Sequence, residues 1–324
     1  MLERELPDLR AVVCCALFTL TAACGGGSSG GFAASGSLTI AITDAPVDGV
    51  DQVVVEFTGI SVKPQEGPPI DFDFDEPRSI DLRALTGDKT ELLLDGASLP
   101  VGPYNWLRLH VNAELDGVLD SYVRRIDDGG QYELRVPSGG ASGLQLVHQF
   151  NVLAGSETAF VIDWNLRQGL VRPPGLGGAY LLQPVLRIID LAEYGTIAGS
   201  VSPTLLTAPG CTGNMNTGFG NAVYVFPGAN VIPADIDGSE SDPLTVAEVR
   251  LDDLSGNWEY QAAFLPPGQY TVAFTCQAGD DRVPDPDNPG GDFSDDIEFT
   301  SGVNAAVNVG ETTVVNFDFV PLAL

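Results

Sequence analysis

The chain has 324 residues, 44 of them acidic and 15 basic, for a net charge of −29 at pH 7. A surface of that sign repels phosphate backbones and anionic headgroups, which excludes nucleic acid as a partner and a basic patch as the route to a membrane. The acidity is uneven: residues 37–192 carry 22 acids and 11 bases, whereas residues 193–324 carry 19 acids and 2 bases.

The first element is an apolar run over 11–22. It falls short of the roughly 20 residues needed to span a hydrocarbon core. Thr21-Ala22-Ala23-Cys24 follows, and then Gly25-Gly26-Gly27-Ser28-Ser29-Gly30-Gly31. A short apolar core, small residues, one cysteine and a flexible leash predict a bacterial lipoprotein signal over 1–23, with Cys24 lipidated. Residues 24–36 then read as a Gly/Ser tether. Glu3, Glu5 and Asp8 are out of place in a leader that should be positive, which points to a start near Leu9 with Arg10 leading. The membrane is then a partner through the lipid. Gly25, rather than an Asp, follows the cysteine and favours the outer membrane, on its periplasmic or its surface side. Gly26-Gly27-Ser28-Ser29-Gly30 matches a nucleophile elbow in spelling alone, because no strand precedes it and no helix follows.

Beyond the tether, apolar runs alternate or are β-branched, and Gly and Pro interrupt them at short intervals. That pattern predicts an all-β fold, two antiparallel β-sandwich domains in tandem over 37–192 and 193–324. In the first domain strands are expected at 38–42, 53–57, 107–111, 132–136, 144–150, 158–164 and 180–189, with a single helical turn at 81–85. In the second they are expected at 195–201, 222–226, 244–251, 258–264, 270–276 and 312–319. One element recurs: Leu99-Pro100-Val101-Gly102-Pro103-Tyr104 and Leu265-Pro266-Pro267-Gly268-Gln269-Tyr270 each precede a strand. Leu plugs the core, Pro sets φ, Gly supplies a positive φ and Tyr returns to the core, so both sandwiches are expected to turn the same corner.

Of the five cysteines, Cys14 and Cys15 lie in the leader and Cys24 takes the lipid, leaving Cys211 and Cys276. An even pair in an exported domain predicts a disulfide; no histidine lies in this half to join a metal site.

The candidate sites are few. Asp235, Asp237, Ser239 and Asp242 place oxygens at alternate positions, as calcium loops do. Gly238 and Val246, however, stand where an EF-hand pattern wants other residues. Calcium binding and a solvated acidic loop are the two readings, and the tract 285–296 is a second oxygen-rich loop of the same kind. The two histidines, His110 and His148, have no motif spacing around them that would build a Ser-His-Asp or zinc site. Trp164 and Trp258 sit among apolar neighbours and are expected in the core. Trp106 alternates with Arg108 and His110, which makes it the candidate for a ring that stacks on a sugar.

A series of blocks carries a resemblance. Thr43-Asp44-Ala45-Pro46, the Leu-Pro-x-Gly-x-Tyr corner, Val136-Pro137-Ser138-Gly139, Gly143-Leu144-Gln145-Leu146, Asp163-Trp164-Asn165-Leu166-Arg167 and Tyr180-Leu181-Leu182-Gln183-Pro184-Val185-Leu186-Arg187 occur in one order. Residues 37–190 thus resemble a bacterial lipoprotein domain family of unknown function, which implies no catalytic residues to carry over. The acidic tract 71–76 looks like an insertion in that pattern. Gly195-Thr196-Ile197-Ala198-Gly199, Asn221-Ala222-Val223-Tyr224-Val225-Phe226 and Gly256-Asn257-Trp258-Glu259-Tyr260 make the second domain resemble transthyretin-like modules, which implies a spacer or binding platform. The expected function is a non-catalytic, lipid-anchored envelope protein working in interaction or scaffolding, with a glycan or an envelope protein as partner. The alternative is a carbohydrate-binding or adhesive module, assisted by calcium. No other cofactor is expected.

Overall fold

The computed structural model describes residues 34–282, 295 and 297–318. Cys24, the leader and residues 24–33 of the tether lie outside the described residues, as does all of the tract 285–296 except Asp295. Twelve strands come first: β1 (Ser35–Ala45), β2 (Val50–Pro64), β3 (Ile70–Asp81), β4 (Glu91–Pro100), β5 (Gly102–Asn112), β6 (Tyr122–Arg125), β7 (Gln131–Arg135), β8 (Leu144–Val152), β9 (Glu157–Asn165), β10 (Leu170–Val171), β11 (Tyr180–Leu182) and β12 (Leu186–Asp190). Eight follow: β13 (Gly195–Ser200), β14 (Ala222–Pro227), β15 (Thr245–Glu248), β16 (Arg250–Leu251), β17 (Trp258–Leu265), β18 (Gly268–Thr275), β19 (Val303–Val307) and β20 (Thr312–Val314).

These strands make an all-β sandwich fold. In the first sandwich a sheet ordered β12-β9-β1-β4 faces an eight-stranded sheet ordered β10-β11-β7-β6-β2-β5-β8, with β3 also on β2. In the second, β16-β17-β13-β20 faces β15-β14-β18-β19. Most pairs are antiparallel, but β1/β9, β7/β11 and β13/β20 are parallel. A parallel partner must come from far along the chain, and local alternation carries no sign of it.

The tether ends sooner than its composition suggests. Ser35 and Gly36 already pair with Pro100 and Leu99. A Cβ on Gly36 would lie 2.4 Å from the Leu153 carbonyl oxygen, so this glycine serves close backbone approach rather than flexibility. The acidic tract 71–76 lies in β3, where Asp71, Asp73 and Asp75 face water while Phe72 and Phe74 pack on the core. The stretch 180–189 divides at Gln183–Val185 into two strands of different sheets, and 244–251 divides at Val249 in the same way. The helical turn at 81–85 is present as a short 3-10 turn, Leu82–Ala84.

The two corners match each other in all but one respect. Each carries the chain from one sheet of its sandwich to the other, β4 to β5 and β17 to β18. Leu99 and Leu265 are fully buried. Tyr104 donates its hydroxyl to the Pro100 carbonyl at 2.9 Å, and Tyr270 donates to Pro266 at 2.7 Å. The tyrosine therefore clamps the corner as well as filling the core. The glycines differ: Gly102 has φ +144°, whereas Gly268 is not among the positive-φ glycines.

β1 is buried on both faces from Leu38 onward, its apolar residues interrupted by the buried Thr39, Thr43 and Asp44. Leu38, Ile40 and Ile42 enter the first core, while Ala41 joins Val161 and Ile189 against Ala263 and Phe264 of the second sandwich. Phe264 reaches that patch through a register shift in β17, at φ +55°, a backbone region that bulky side chains rarely adopt. The described residues from Ala34 onward accordingly cluster as one compact unit. Cys211 and Cys276 form a disulfide that ties the loop after β13 to the end of β18.

Candidate functional site

The parallel pairing of β1 with β9 sets Thr43 beside Asp163, Asp44 beside Trp164 and Ala45 beside Asn165. Two sequence blocks more than a hundred residues apart thereby form one polar node. Thr43 donates its hydroxyl to the Lys89 carbonyl at 2.8 Å, with the Leu85 carbonyl 3.0 Å away. Asp44 accepts the Leu166 N–H at 3.1 Å, and Asp163 accepts Arg187 Nε at 2.6 Å. Trp164 is fully buried and donates Nε1–H to the Gln183 carbonyl at 3.1 Å. Asn165 caps the turn Leu166–Gly169 by accepting the Gln168 N–H.

That turn aims Arg167 at the second sandwich. Its side chain is 5% exposed and bonded on every nitrogen. Nε donates to the Pro46 carbonyl at 3.1 Å, Nη1 to the Ala278 carbonyl at 2.8 Å and Nη2 to Asp48 at 2.5 Å. Asp48 also accepts the Gly220 N–H at 3.1 Å, so both partners of the ion pair reach across the seam. Gln168 donates to the Pro243 carbonyl, and Arg83 pairs with Glu248 at 3.1 Å. Burial opposes the charge on Arg167, but the Asp48 carboxylate together with Tyr224 and Asp281 outweighs it and holds the guanidinium protonated. Burial pushes the Asp44 carboxyl well above the usual carboxylate range, against the pull of the Leu166 N–H and with the help of neighbouring Asp163.

Asp281 lies at the same seam, accepting the Tyr224 hydroxyl at 2.5 Å. Burial raises it from an ordinary 3.8 to about 6, while the Tyr224 bond and the Arg167 charge act in the opposite direction and Asp235 adds to the rise. Because the folded value exceeds the unfolded one, this group's contribution to stability is complete below about pH 4 and is lost as pH rises through about 6. Asp281→Asn is therefore expected to be more stable than the wild type at pH 7 and to have a flatter denaturant midpoint between pH 4 and 7. A parallel pH slope in the two proteins would refute this.

The sites expected from the sequence fare differently. Asp242 accepts the N–H groups of Asp237 and Gly238, Asp237 accepts that of Ser239, and Asp235 accepts that of Asp295. These bonds use the carboxylates to shape their own loop. Among the described residues no three His, Cys, Asp or Glu side chains converge as metal ligands. Trp106 is half-buried on the outer face of the eight-stranded sheet, and the Arg108 guanidinium covers its ring, 4.6 Å from the centroid. Arg108 is held there by Gln145 at 2.7 Å. A sugar would have to displace that stacked cation to reach that face of the ring.

The structure does bring together a Ser, a His and an Asp. Ser61 Oγ lies 2.5 Å from Asp71 and 2.7 Å from His110 Nε2. The order is wrong for catalysis. The one hydroxyl proton goes to the carboxylate, an acceptor only, so His110 must donate to Ser61 instead of accepting from it. A nucleophilic serine needs the reverse. No sequence spacing marks this trio, since strand pairing alone assembles it. His148 packs on Phe150 and Phe160.

Among the clefts of the described residues, one of about 550 Å³ lies between the edge strands β8 and β12. Pro137, Ser138, Leu146, His148, Leu186 and Arg187 are among its lining, which contains no carboxylate. Val147 on β8 is 79% exposed beside it.

Residues 35–184 match the model of a domain of unknown function, DUF4382. No curated protein matches the chain. Among solved structures it is similar to the Bacillus anthracis TIE protein at 11% identity and a TM-score of 0.17, over 87% of this chain and 34% of that one. It therefore spans about a third of that protein's length. It is also similar to GBS52, the minor pilin of Streptococcus agalactiae, at 10% identity and a TM-score of 0.19, over 87% of this chain and 94% of that one. A fimbrial protein of Bacteroides ovatus is similar at 11% identity and a TM-score of 0.21, over 87% and 48%.

Proposed function

We propose that the chain is a non-catalytic protein of the bacterial cell envelope, lipidated at Cys24, that holds a partner on a stiff pair of sandwiches. One observation carries this reading. Arg167 and Asp48 bond across the seam to the second sandwich, and Asp44 and Asp163 bond within the first to Leu166 and Arg187, instead of converging as an acid–base set around a cleft. The resemblance of the second domain to transthyretin-like spacer modules fits the same role. The cleft between β8 and β12 is the surface offered to an envelope protein. Its freedom from carboxylates lets an acidic or neutral segment approach a chain whose net charge is −29.

The test combines metabolic fatty-acid labelling with a photo-crosslinking side chain placed in living cells. Label is expected on the wild type and not on Cys24→Ala. A crosslinker at Val147 is expected to give a discrete envelope adduct, and one at Leu254, 97% exposed on the second sandwich, is not. An uncut, unlabelled chain in the cytosol would overturn the anchoring. Equal adducts at both positions, or none at either, would overturn the cleft.

A further inference from the structure

The seam between the sandwiches is dry on one side, where Ala41, Val161 and Ile189 meet Phe264, and polar on the other. On the polar side several buried atoms have no hydrogen-bond partner among the described residues, and two of them belong to residues that line one cavity. Asp44, 5% exposed, offers Oδ1 to the Leu166 N–H, which leaves Oδ2 unpaired. Arg187 offers Nε to Asp163, which leaves Nη1 unpaired. Asp44, Asp163 and Arg187 line one wall of a cavity of about 20 Å³, and Thr245, Gln261 and Phe264 of the second sandwich close the other.

The size and the chemistry agree. Room of roughly 10–15 Å³ admits one water when two to four polar groups can hold it, whereas an apolar void of that size stays empty. An unpaired carboxyl oxygen and an unpaired guanidinium N–H on two residues that line one such space are complementary to a molecule that both donates and accepts. A metal cation fits poorly beside the fixed positive charge of Arg187.

We infer that a single water molecule is bound in this cavity, accepting from Arg187 Nη1 and hydrogen-bonded to Asp44 Oδ2. It joins the two sequence blocks to the face of the second sandwich. The same water serves both protonation states of Asp44, as donor to the carboxylate or as acceptor from the carboxylic acid. Arg187, Asp163 and Arg83 are the charged groups that act on this position.

A crystal structure of the chain at about 1.5 Å, with water-oxygen magnetic relaxation dispersion in solution, tests the site. The crystal is expected to show one peak within hydrogen-bonding distance of both atoms. In solution Ala263→Val, which fills the cavity without removing a polar group, is expected to lower the count of long-lived waters by one. Asp44→Asn, which keeps a polar side chain there, is expected to leave the count unchanged. An empty cavity, a direct Asp44–Arg187 bond, or a count that Ala263→Val leaves unchanged would each overturn the inference.

Discussion

Arg167→Met is expected to destabilise the chain by about 3–5 kcal/mol, because removing one partner of a buried ion pair leaves the other charged and dry. Methionine keeps much of the volume, so the loss reports the charge and its bonds and not a cavity. Asp48, whose side chain is 9% exposed, would keep a carboxylate without its cation, and the Pro46 and Ala278 carbonyls would lose their donor. Two of those three acceptors lie before the first sandwich's second strand and one lies in the second sandwich. The variant should therefore also uncouple the two sandwiches, and calorimetry should resolve two transitions where the wild type gives one. Denaturant titration at pH 7 measures the size of the effect. Adding Asp48→Asn should recover part of the loss, since it removes the stranded charge. A loss below about 1 kcal/mol, the range of solvent-exposed pairs, would show that water reaches the pair.

Loss of the Cys211–Cys276 bond has the second large effect. The bond closes a loop with a sequence separation of 65. By the chain-entropy argument a loop of that length contributes roughly 4 kcal/mol, through the unfolded chain rather than through contacts in the folded one. The double variant Cys211→Ser, Cys276→Ser is therefore expected to shift the denaturant midpoint strongly while leaving the folded spectrum unchanged. The N–H groups of Thr212 and Gly213 already reach the Cys276 carbonyl, so the ends of the loop remain adjacent without the bond. A shift no larger than that of a surface substitution would mean that the reduced unfolded chain retains this loop contact.

Local chemistry made part of this molecule readable in advance. β-branched alternation marked most of the strands, and the two Leu-Pro corners were visible because a proline φ and a returning tyrosine are properties of six consecutive residues. The pairing of Cys211 with Cys276 followed from counting. Strands with weak local signals were harder. β6, Tyr-Val-Arg-Arg, is four residues long with two charges, and β3 alternates Asp with Phe in a composition that resembles a loop. Pro184 and Val249 fall inside single apolar stretches of the sequence, yet each marks a change of sheet.

The site was less legible than the fold. Arg167 looked like one residue of a block and proved to be the anchor between sandwiches. Trp106 looked free and carries Arg108 on its ring. Gly36 looked like leash and lies against the backbone of the β8–β9 connection. Ser61, His110 and Asp71 share no spacing and meet across three strands.

By itself the sequence determined the all-β class, the corners, the disulfide and the acidic surface, because each follows from residue types within a short window or from a count over the chain. Only the tertiary structure decided that β1 runs parallel to β9, that Asp44 meets Leu166 and that Arg167 meets Pro46 and Ala278, contacts separated by 122, 121 and 111 residues. Such contacts depend on which strand wins the neighbouring place in a sheet and on which surfaces exclude water together. That is a competition over the whole folded chain, and no local period encodes its outcome.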